Sequence, residues 1–345
     1  MFRSQKQDRA PLDPGVNTAA DIHSRDFLHK CADTPLFESF LVCGGLCRLS
    51  TNSGHLLAAA RRTFSTIETG DGSDIAGRSF FSLRVWVDER DLGQRPWPKP
   101  YVRGLDHLVY LGLDLKSSLL IDLATCRVIG RVSSGMASDC EYWRTTIFPM
   151  LMSILAGSIG LIELHASCVA TGNKGIVLLG PGKSGKSTLA HSFFNLGFRV
   201  LSDDRVFCSV HDNKLRAYGL SRPIKLRQDS GRWFEELQFQ QPGNVQNGEP
   251  VFLIEPGSHC PQPCEPRAIV SIERFGGGCS ILPIKASEMR GHIESELLSE
   301  MPEIMAMQEQ VMDRLLEVPC WHLRHNTHPD VTAKYLTTFL TTSCM

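Results

Sequence analysis

In the first half of the chain, hydrophobic residues occur in short runs that are separated by turn-forming residues. Residues 107–133 alternate apolar runs with Asp, Gly and Ser turns, which predicts an antiparallel meander, and residues 78–89 fit a further strand. Residues 55–65 fit a helix that is apolar with a basic face. Three prolines in residues 93–101 predict a loop, because proline cannot donate to a strand ladder. We therefore expect a β-rich N-terminal region over residues 29–140.

The pattern changes on both sides of this region. Residues 1–28 are polar and lack the apolar centre of a secretory signal, so we expect a disordered arm there. From residue 141 onward, short strands alternate with helical periods, which predicts an α/β domain over residues 141–345. Within this domain, residues 240–250 and 255–266 are rich in Pro, Gly and Asn and are predicted to be loops.

One uncharged run, from Thr145 to Ile162, has about the shortest length that spans a bilayer. Pro149 interrupts its start, and Gly157 and Gly160 interrupt its end. We interpret the run as a buried helix that leads into a strand, and we keep a membrane span as the weaker alternative.

Net charge and cysteine content restrict which binding partners and which cellular compartment we expect. The formal net charge is −1, which gives no electrostatic case for binding nucleic acid or an anionic membrane. The twelve cysteines are scattered without the paired spacing of zinc fingers, and reduced thiols of this kind are typical of cytosolic proteins. The predicted location is therefore the cytoplasm.

The segment "GPGKSGKS" matches the pattern G-x-x-x-x-G-K-[ST] at every required position. Glycines let consecutive backbone N–H groups turn inward around an anion, and the helix that follows directs its positive end at phosphates. In this pattern the lysine reaches the β- and γ-phosphates and the next hydroxyl ligates Mg2+. A buried strand precedes the segment, and a helical period that Gly197 ends follows it. We expect nucleotide to bind at Gly180, Pro181, Gly182, Lys183, Ser184, Gly185, Lys186, Ser187 and Thr188.

Two adjacent aspartates, Asp203 and Asp204, end the next predicted strand. Ligands of open α/β sheets collect beyond the carboxyl ends of strands, so the aspartates and the glycine-rich segment should share one crevice. Beside Mg2+, one carboxylate can lie near the metal while the other accepts a proton from a hydroxyl. The alternative is a polar strand end or a helix N-cap. His165 ends a preceding strand-like stretch, and a lone histidine is by default structural.

The segment from His165 to Arg205 resembles the catalytic domain of HPr kinase/phosphorylase and its kinase-like relatives. Those proteins carry a histidine, a strand, a phosphate-binding loop, a helix ending in Gly, and a strand ending in Asp-Asp-Arg. A more distant likeness is to ATP-dependent phosphoenolpyruvate carboxykinase. The resemblance implies an α/β P-loop kinase core with ATP and Mg2+ as cofactors, preceded here by the smaller β-rich region.

The resemblance also implies a role for each site residue. Asp204 is the implied base for a serine hydroxyl, Lys186 neutralises phosphate charge, and His165 lines the phosphoryl site. Ser187 holds Mg2+, and Asp203 assists the positioning of metal or phosphate. Relatives with a β-rich region before such a core include peptide-modifying kinases of lasso-peptide pathways. The implied partner is therefore a protein or peptide substrate with a serine hydroxyl, and assembly into a homo-oligomer stays open.

The scarcity of acidic residues in a later segment leaves functions other than a serine kinase open. Where relatives carry an acidic Mg2+ ligand, residues 222–233 offer only Asp229, which favours a nucleotide-binding regulatory module without transfer activity. A small-molecule kinase or a carboxykinase-like enzyme is a further alternative. Basic residues that either contact phosphates or form a solvated face are Lys183, Arg222, Lys225, Arg227 and Arg232.

Overall fold

A computed structural model of the chain has a mixed α/β fold with several sheets. The predicted arm at residues 1–28 lies outside the residues that the structure describes. From Thr34 onward the chain forms one unit by its internal contacts. The described residues are 33–66, 78–211, 213–220, 222–238, 240, 244–246, 249–257, 262–294 and 302–343.

The first sheet has eight strands. They are β1 (Leu36–Val42), β2 (Gly45–Thr51), β3 (Ser65–Thr66), β4 (Phe80–Asp88), β5 (Tyr101–Leu105), β6 (Leu108–Gly112), β7 (Ser118–Asp122) and β8 (Arg127–Ser133). In space they lie in the order β3-β1-β2-β4-β8-β7-β6-β5. Strands β5 to β8 pair antiparallel, which confirms the predicted meander. Fully and partly buried residues alternate along β2 and β4, because successive side chains of a strand point to opposite faces.

Helices cover one side of this sheet and lead out of it. Helix α1 (Gly54–Thr63) confirms the helix predicted at residues 55–65. After β8 come α2 (Ser134–Ser138), α3 (Cys140–Tyr142), a π-helical turn (Trp143–Ile147) and α4 (Phe148–Leu155). The hydrophobic core between the sheet and these helices also takes in Phe207 and Leu220 from the second half of the chain.

The uncharged run from Thr145 to Ile162 forms the second half of the π-helical turn, all of α4 and the start of a strand. Helix α4 is largely buried, as the interpretation of a buried helix that leads into a strand requires. Among the described helices, none combines the length and the apolar character needed to cross a membrane.

The second half of the chain contains twelve strands and five α-helices among the residues described. The strands are β9 (Ile162–Leu164), β10 (Ser167–Thr171), β11 (Lys174–Leu179), β12 (Arg199–Asp203), β13 (Val206–His211), β14 (Lys214–Tyr218), β15 (Ile224–Arg227), β16 (Asn244–Gln246), β17 (Glu249–Ile254), β18 (Glu265–Arg274), β19 (Cys279–Pro283) and β20 (Cys320–His325). The helices are α5 (Lys186–Asn195), α6 (Glu235–Gln238), α7 (Ala286–Glu294), α8 (Pro302–Leu316) and α9 (Pro329–Ser343).

Six of these strands form a sheet in the order β12-β10-β11-β18-β20-β19, and two three-stranded sheets, β14-β13-β9 and β15-β17-β16, lie beside it. Adjacent residues of β11 belong to different hydrophobic clusters because they point to opposite faces of the sheet. Leu178 packs with Leu189 of α5 and Leu336 of α9. Val177 packs with Met289 of α7 and Leu315 of α8. The six-stranded sheet is therefore covered on both faces.

The prediction that residues 240–250 form a loop is wrong in part. Strands β16 and β17 occupy residues 244–246 and 249–254, and β17 pairs antiparallel with both β15 and β16. Pro250 is the second residue of β17, close to the strand start, where proline is tolerated. The Pro-, Gly- and Asn-rich composition gave no sign of this sheet, because the sheet depends on pairing between residues distant in sequence. This small sheet matters because one of its faces borders the candidate site.

The backbone at Gly219 packs directly against the backbone of β12. A Cβ added at Gly219 would overlap the carbonyl oxygen of Leu201 in β12. We expect Gly219→Ala to destabilise the protein by about 1–3 kcal/mol, because backbone atoms cannot yield as a flexible side chain can. The free energy of unfolding from urea denaturation measures this change.

The matched control is Gly291→Ala within α7, where an added Cβ meets no atom within 4 Å among those described. Alanine is the better helix former, so this variant should gain roughly 0.5–1 kcal/mol. Equal unfolding free energies for the two variants would contradict the contact described at Gly219.

Candidate active site

Four strands of the six-stranded sheet end at the same edge. Strand β10 runs antiparallel to both β11 and β12, so β11 and β12 point the same way. Strand β18 lies parallel to β11, and β20 lies parallel to β18. Because the carboxyl ends of parallel strands form the edge where α/β sheets bind ligands, the residues that follow these strands define a candidate site. Ser167 of β10 lies opposite Leu178 of β11 on one side and Asp203 of β12 on the other.

The glycine loop, Gly180–Ser187, joins β11 to α5. Its backbone has positive φ angles of 148° at Gly180, 69° at Lys183 and 105° at Gly185. A Cβ at Gly180 would lie 2.7 Å from the carbonyl oxygen of Ile272 and 2.8 Å from Oγ of Ser184, so glycine alone fits there without a shift. Helix α5 starts directly after Gly185, so the positive end of its dipole lies at the loop.

The lysine of the loop is held within the loop itself. The ammonium of Lys186 donates to the carbonyl of Gly180 at 2.6 Å and to that of Pro181 at 3.3 Å, and the residue is only 8% exposed. The hydroxyl of Thr188 lies 3.3 Å from that of Ser230, and the hydroxyl of Ser187 is close enough to Asp203 to lower the pKa of that carboxyl.

Asp203 is buried, and its two carboxylate oxygens accept hydrogen bonds from different strands. Oδ1 accepts from the hydroxyl of Ser167 at 2.8 Å, and Oδ2 accepts from the backbone N–H of Lys225 at 3.0 Å. Burial raises the pKa of Asp203 above its usual value, although these donors and Ser187 act in the opposite direction. A buried carboxylate of this kind gains from a nearby cation.

Asp204 follows β12 directly and has different surroundings. Its Oδ2 lies 3.2 Å from Nη1 of Arg222 and 3.8 Å from Nε of Arg205, and its Oδ1 lies 3.6 Å from Nδ1 of His165. Burial alone would raise the pKa of Asp204, but the positive charges, with that of Arg222 the strongest, outweigh burial and lower the pKa. The carboxylate is therefore held in its charged form.

The backbone of Asp204 is strained. Its φ angle is 152°, a conformation that residues with a side chain rarely adopt. Two backbone hydrogen bonds hold it: Asp204 N–H donates to the carbonyl of Ala166 at 3.0 Å, and Ala166 N–H donates to the carbonyl of Asp204 at 3.2 Å. His165, next to Ala166, lies where the chain passes from β9 to β10 and is 45% exposed at its side chain.

A cavity of about 750 Å3 brings most of the predicted residues together. It is bounded by the glycine loop, by the two aspartates and by the small sheet that contains β15 and β17. Predicted residues that line it are His165, Gly182, Lys183, Ser184, Gly185, Lys186, Ser187, Thr188, Asp203 and Asp204. The other two predicted residues, Gly180 and Pro181, are not among those that line it.

Apart from Arg222, which contacts Asp204, the basic residues of the later segment divide into two groups. Lys225 and Arg227 of β15 line the cavity, and Arg227 pairs with Glu249 at 2.9 Å. Burial and the charge of Arg222 lower the pKa of Lys225. Arg232 lies at a separate small cavity beside Trp233. Asp229, the acidic candidate of this segment, lines the main cavity.

Sequence reasoning missed Arg274 and His325, which end β18 and β20 at the same edge of the sheet. Arg274 lines the main cavity next to Gly185. His325 is buried with Nε2 3.4 Å from the carbonyl of Ser184, and burial lowers its pKa, so the imidazole is neutral near pH 7. The parallel order of β11, β18 and β20 brings the ends of these strands to the glycine loop.

Known proteins offer little similarity in sequence. No protein-family model matches the chain, and no curated protein matches it. Solved structures that resemble it include the Hpr(Ser) kinase/phosphatase from Coxiella burnetii, at 13% sequence identity and a TM-score of 0.27. That likeness covers 52% of this chain and 91% of the other. At this TM-score it carries no weight, so the family resemblance stays a prediction and the function is argued from the site.

The hydrogen bond between Ser167 and Asp203 gives a direct test of the site geometry. We expect Ser167→Ala to lower the free energy of unfolding by about 1–3 kcal/mol, because a buried carboxylate loses a donor. Chemical denaturation at pH 7 provides the measurement. Ser138→Ala, at an exposed hydroxyl, is the control and should change stability by less than about 0.5 kcal/mol. A loss no greater than in the control would exclude the bond as described.

Proposed function

We propose that this protein is a Mg2+- and ATP-dependent kinase that transfers the γ-phosphate to a serine hydroxyl of a small protein or peptide. The observation that carries the proposal is a shared cavity: a glycine loop with Lys186 and Ser187 faces two buried or half-buried aspartates. Anion-binding backbone on one side and carboxylates on the other suit a phosphate donor and a hydroxyl acceptor.

The glycine loop supports the donor side. Inward-turned N–H groups and the positive end of a helix bind the phosphates without a matching protein charge. The ammonium of Lys186 donates to two carbonyl oxygens of its own loop, and phosphate oxygens are stronger acceptors for an ammonium. Arg274 adds a second cation beside Gly185, where it can neutralise charge on the same ligand.

The residues present fit a magnesium ion. Mg2+ prefers oxygen ligands and is held by one or two carboxylates together with phosphate oxygens and water. Ser187 and Asp203 both line the cavity, and the Ser187 hydroxyl is close enough to Asp203 to lower the pKa of that carboxyl, so a hydroxyl and a carboxylate oxygen lie together where one cation would bind. When bound, Mg2+ would neutralise charge on the β- and γ-phosphates.

Asp204 supports the acceptor side. It stays ionised at neutral pH and lies at the end of the cavity next to His165. In the proposed reaction Asp204 accepts the proton of the serine hydroxyl as the serine oxygen bonds to the γ-phosphorus. The bond from that phosphorus to the bridging oxygen breaks, so the products are a phosphoserine and ADP. His165 lies where it can contact the transferred group.

The alternative functions make different demands on the same cavity. A regulatory module without transfer needs nucleotide binding but not the base, and the basic side chains of Lys225 and Arg227 in the cavity wall are consistent with it. A small-molecule kinase needs the same donor side with a small acceptor. The state of Asp204 favours transfer, because a binding module gains nothing from a strained, charged carboxylate at the cavity.

Two substitutions separate these functions. We expect Lys186→Ala to weaken Mg2+-dependent ATP binding about 10- to 100-fold, because a charge-assisted contact to phosphate is lost. We expect Asp204→Asn to keep ATP binding and to slow phosphate transfer about 100- to 10,000-fold, because the base is lost while a negative charge near the phosphates is removed. Calorimetry measures binding, and intact mass measures phosphate on each small protein or peptide encoded beside the gene.

Lys174→Ala is the control for the lysine, because it lies at the opposite end of β11 from the glycine loop. It should bind ATP and transfer phosphate as the parent does. ATP binding by the parent without phosphate on any serine-bearing candidate would favour the regulatory module. Phosphate transfer that Asp204→Asn leaves intact would assign the base to another residue.

A further inference from the structure

Arg222 makes two contacts that tie the candidate site to the helical segment before it. Its side chain is 8% exposed, Nη1 donates to Oδ2 of Asp204 at 3.2 Å, and Nη2 donates to the backbone carbonyl of Thr145 at 3.1 Å. The guanidinium therefore bridges the carboxylate and the π-helical turn. Arg222 is not among the residues that line the cavity, which argues against a direct role in binding phosphate.

The helix sequence explains why the carbonyl of Thr145 faces an arginine. In an α-helix this carbonyl accepts from the N–H four residues later, and that residue is Pro149, which has no N–H. The chain forms a π-helical turn over Trp143–Ile147 just before the proline. Turns of this kind interrupt the regular bonding of a helix and frequently lie at functional sites.

A second arginine lies close to the same oxygen of Asp204. Arg205 donates to the hydroxyl of Ser153 in α4 and to Glu163, and its Nε lies 3.8 Å from Oδ2 of Asp204. Two guanidinium groups that reach the same helical segment thus converge on one oxygen of Asp204. The other oxygen, Oδ1, lies on the side of His165, which lines the cavity.

We propose that Arg222 is a positioning residue which, anchored on the carbonyl that Pro149 leaves without its α-helical donor, holds Oδ2 of Asp204 and thereby presents Oδ1 to the acceptor. The inference rests on the proposed role of Asp204 as base. Arg222 touches neither substrate nor the reacting atoms; it sets the orientation of the group that does. A misplacement of about 1 Å at a reacting group can cost on the order of 100-fold in rate.

The contact itself is tested without any reaction. Melting temperatures are measured for Arg222→Gln, for Asp204→Asn and for the double variant. Because the two side chains are in contact, the loss in the double variant should be smaller than the sum of the single losses. Additive losses would overturn the inference. This result is independent of catalysis, so a coupled pair in a protein that transfers no phosphate would contradict the proposed function alone.

Separate measurements of turnover and of nucleotide affinity test the positioning role of Arg222. Arg222→Gln should lower turnover roughly 10- to 100-fold while the Kd for Mg·ATP stays unchanged, because the glycine loop is intact. Arg222→Lys should recover part of the turnover, since an ammonium can hold one carboxylate oxygen but not bridge to Thr145 as well. A parallel loss of nucleotide affinity would instead assign Arg222 to ligand binding and overturn the positioning role.

Pro149→Ala tests the anchor while leaving the arginine in place. The alanine restores an N–H that competes for the carbonyl of Thr145, so turnover should fall severalfold with the Kd for Mg·ATP unchanged. Unchanged turnover would overturn the role given to this carbonyl. The matched control is Arg290→Gln, which loses ion pairs with Glu309 and Asp313 on helix α8, away from the cavity, and should keep the turnover of the parent.

Discussion

The candidate site depends on one strand, β10, inserted antiparallel between β11 and β12. Because β10 reverses direction relative to both neighbours, their carboxyl ends meet at one edge, and the glycine loop and the aspartates lie within reach of each other. The hydroxyl of Ser167, the first residue of β10, donates to Oδ1 of Asp203 and thereby holds this carboxylate against β10. His165 and Ala166 reach the same edge because they directly precede β10.

Two adjacent aspartates acquire opposite electrostatic properties from this arrangement. Asp203 is buried, and the cost of burying its charge raises its pKa. Asp204 leaves the strand in a strained conformation and meets Arg222, Arg205 and His165, so its pKa is lowered. Two identical, adjacent residues thus have pKa values that shift in opposite directions. The environment rather than the residue type decides the direction of each shift.

Local patterns predicted most of the elements and the parts of the site that are close in sequence. The glycine loop, α5 and the strand before the aspartates could be read because spacing and turn residues determine them locally. The strands at residues 244–246 and 249–254, the nearness of Arg274 and His325, and the partner of Arg222 could not. Each depends on which strands pair or on which helix packs nearby, and a sequence pattern does not encode pairing between distant segments.

The φ angle of 152° at Asp204 has a consequence for how this protein can change over time. A residue with a side chain in such a conformation costs of order 1–3 kcal/mol, and glycine at this position would relieve the cost. Selection for stability alone would therefore remove this carboxylate. A protein that retains Asp204 is less stable against unfolding than it could be, and in exchange it keeps a carboxylate at the cavity. In a gene copy that is no longer selected for this carboxylate, substitution is expected first at this residue.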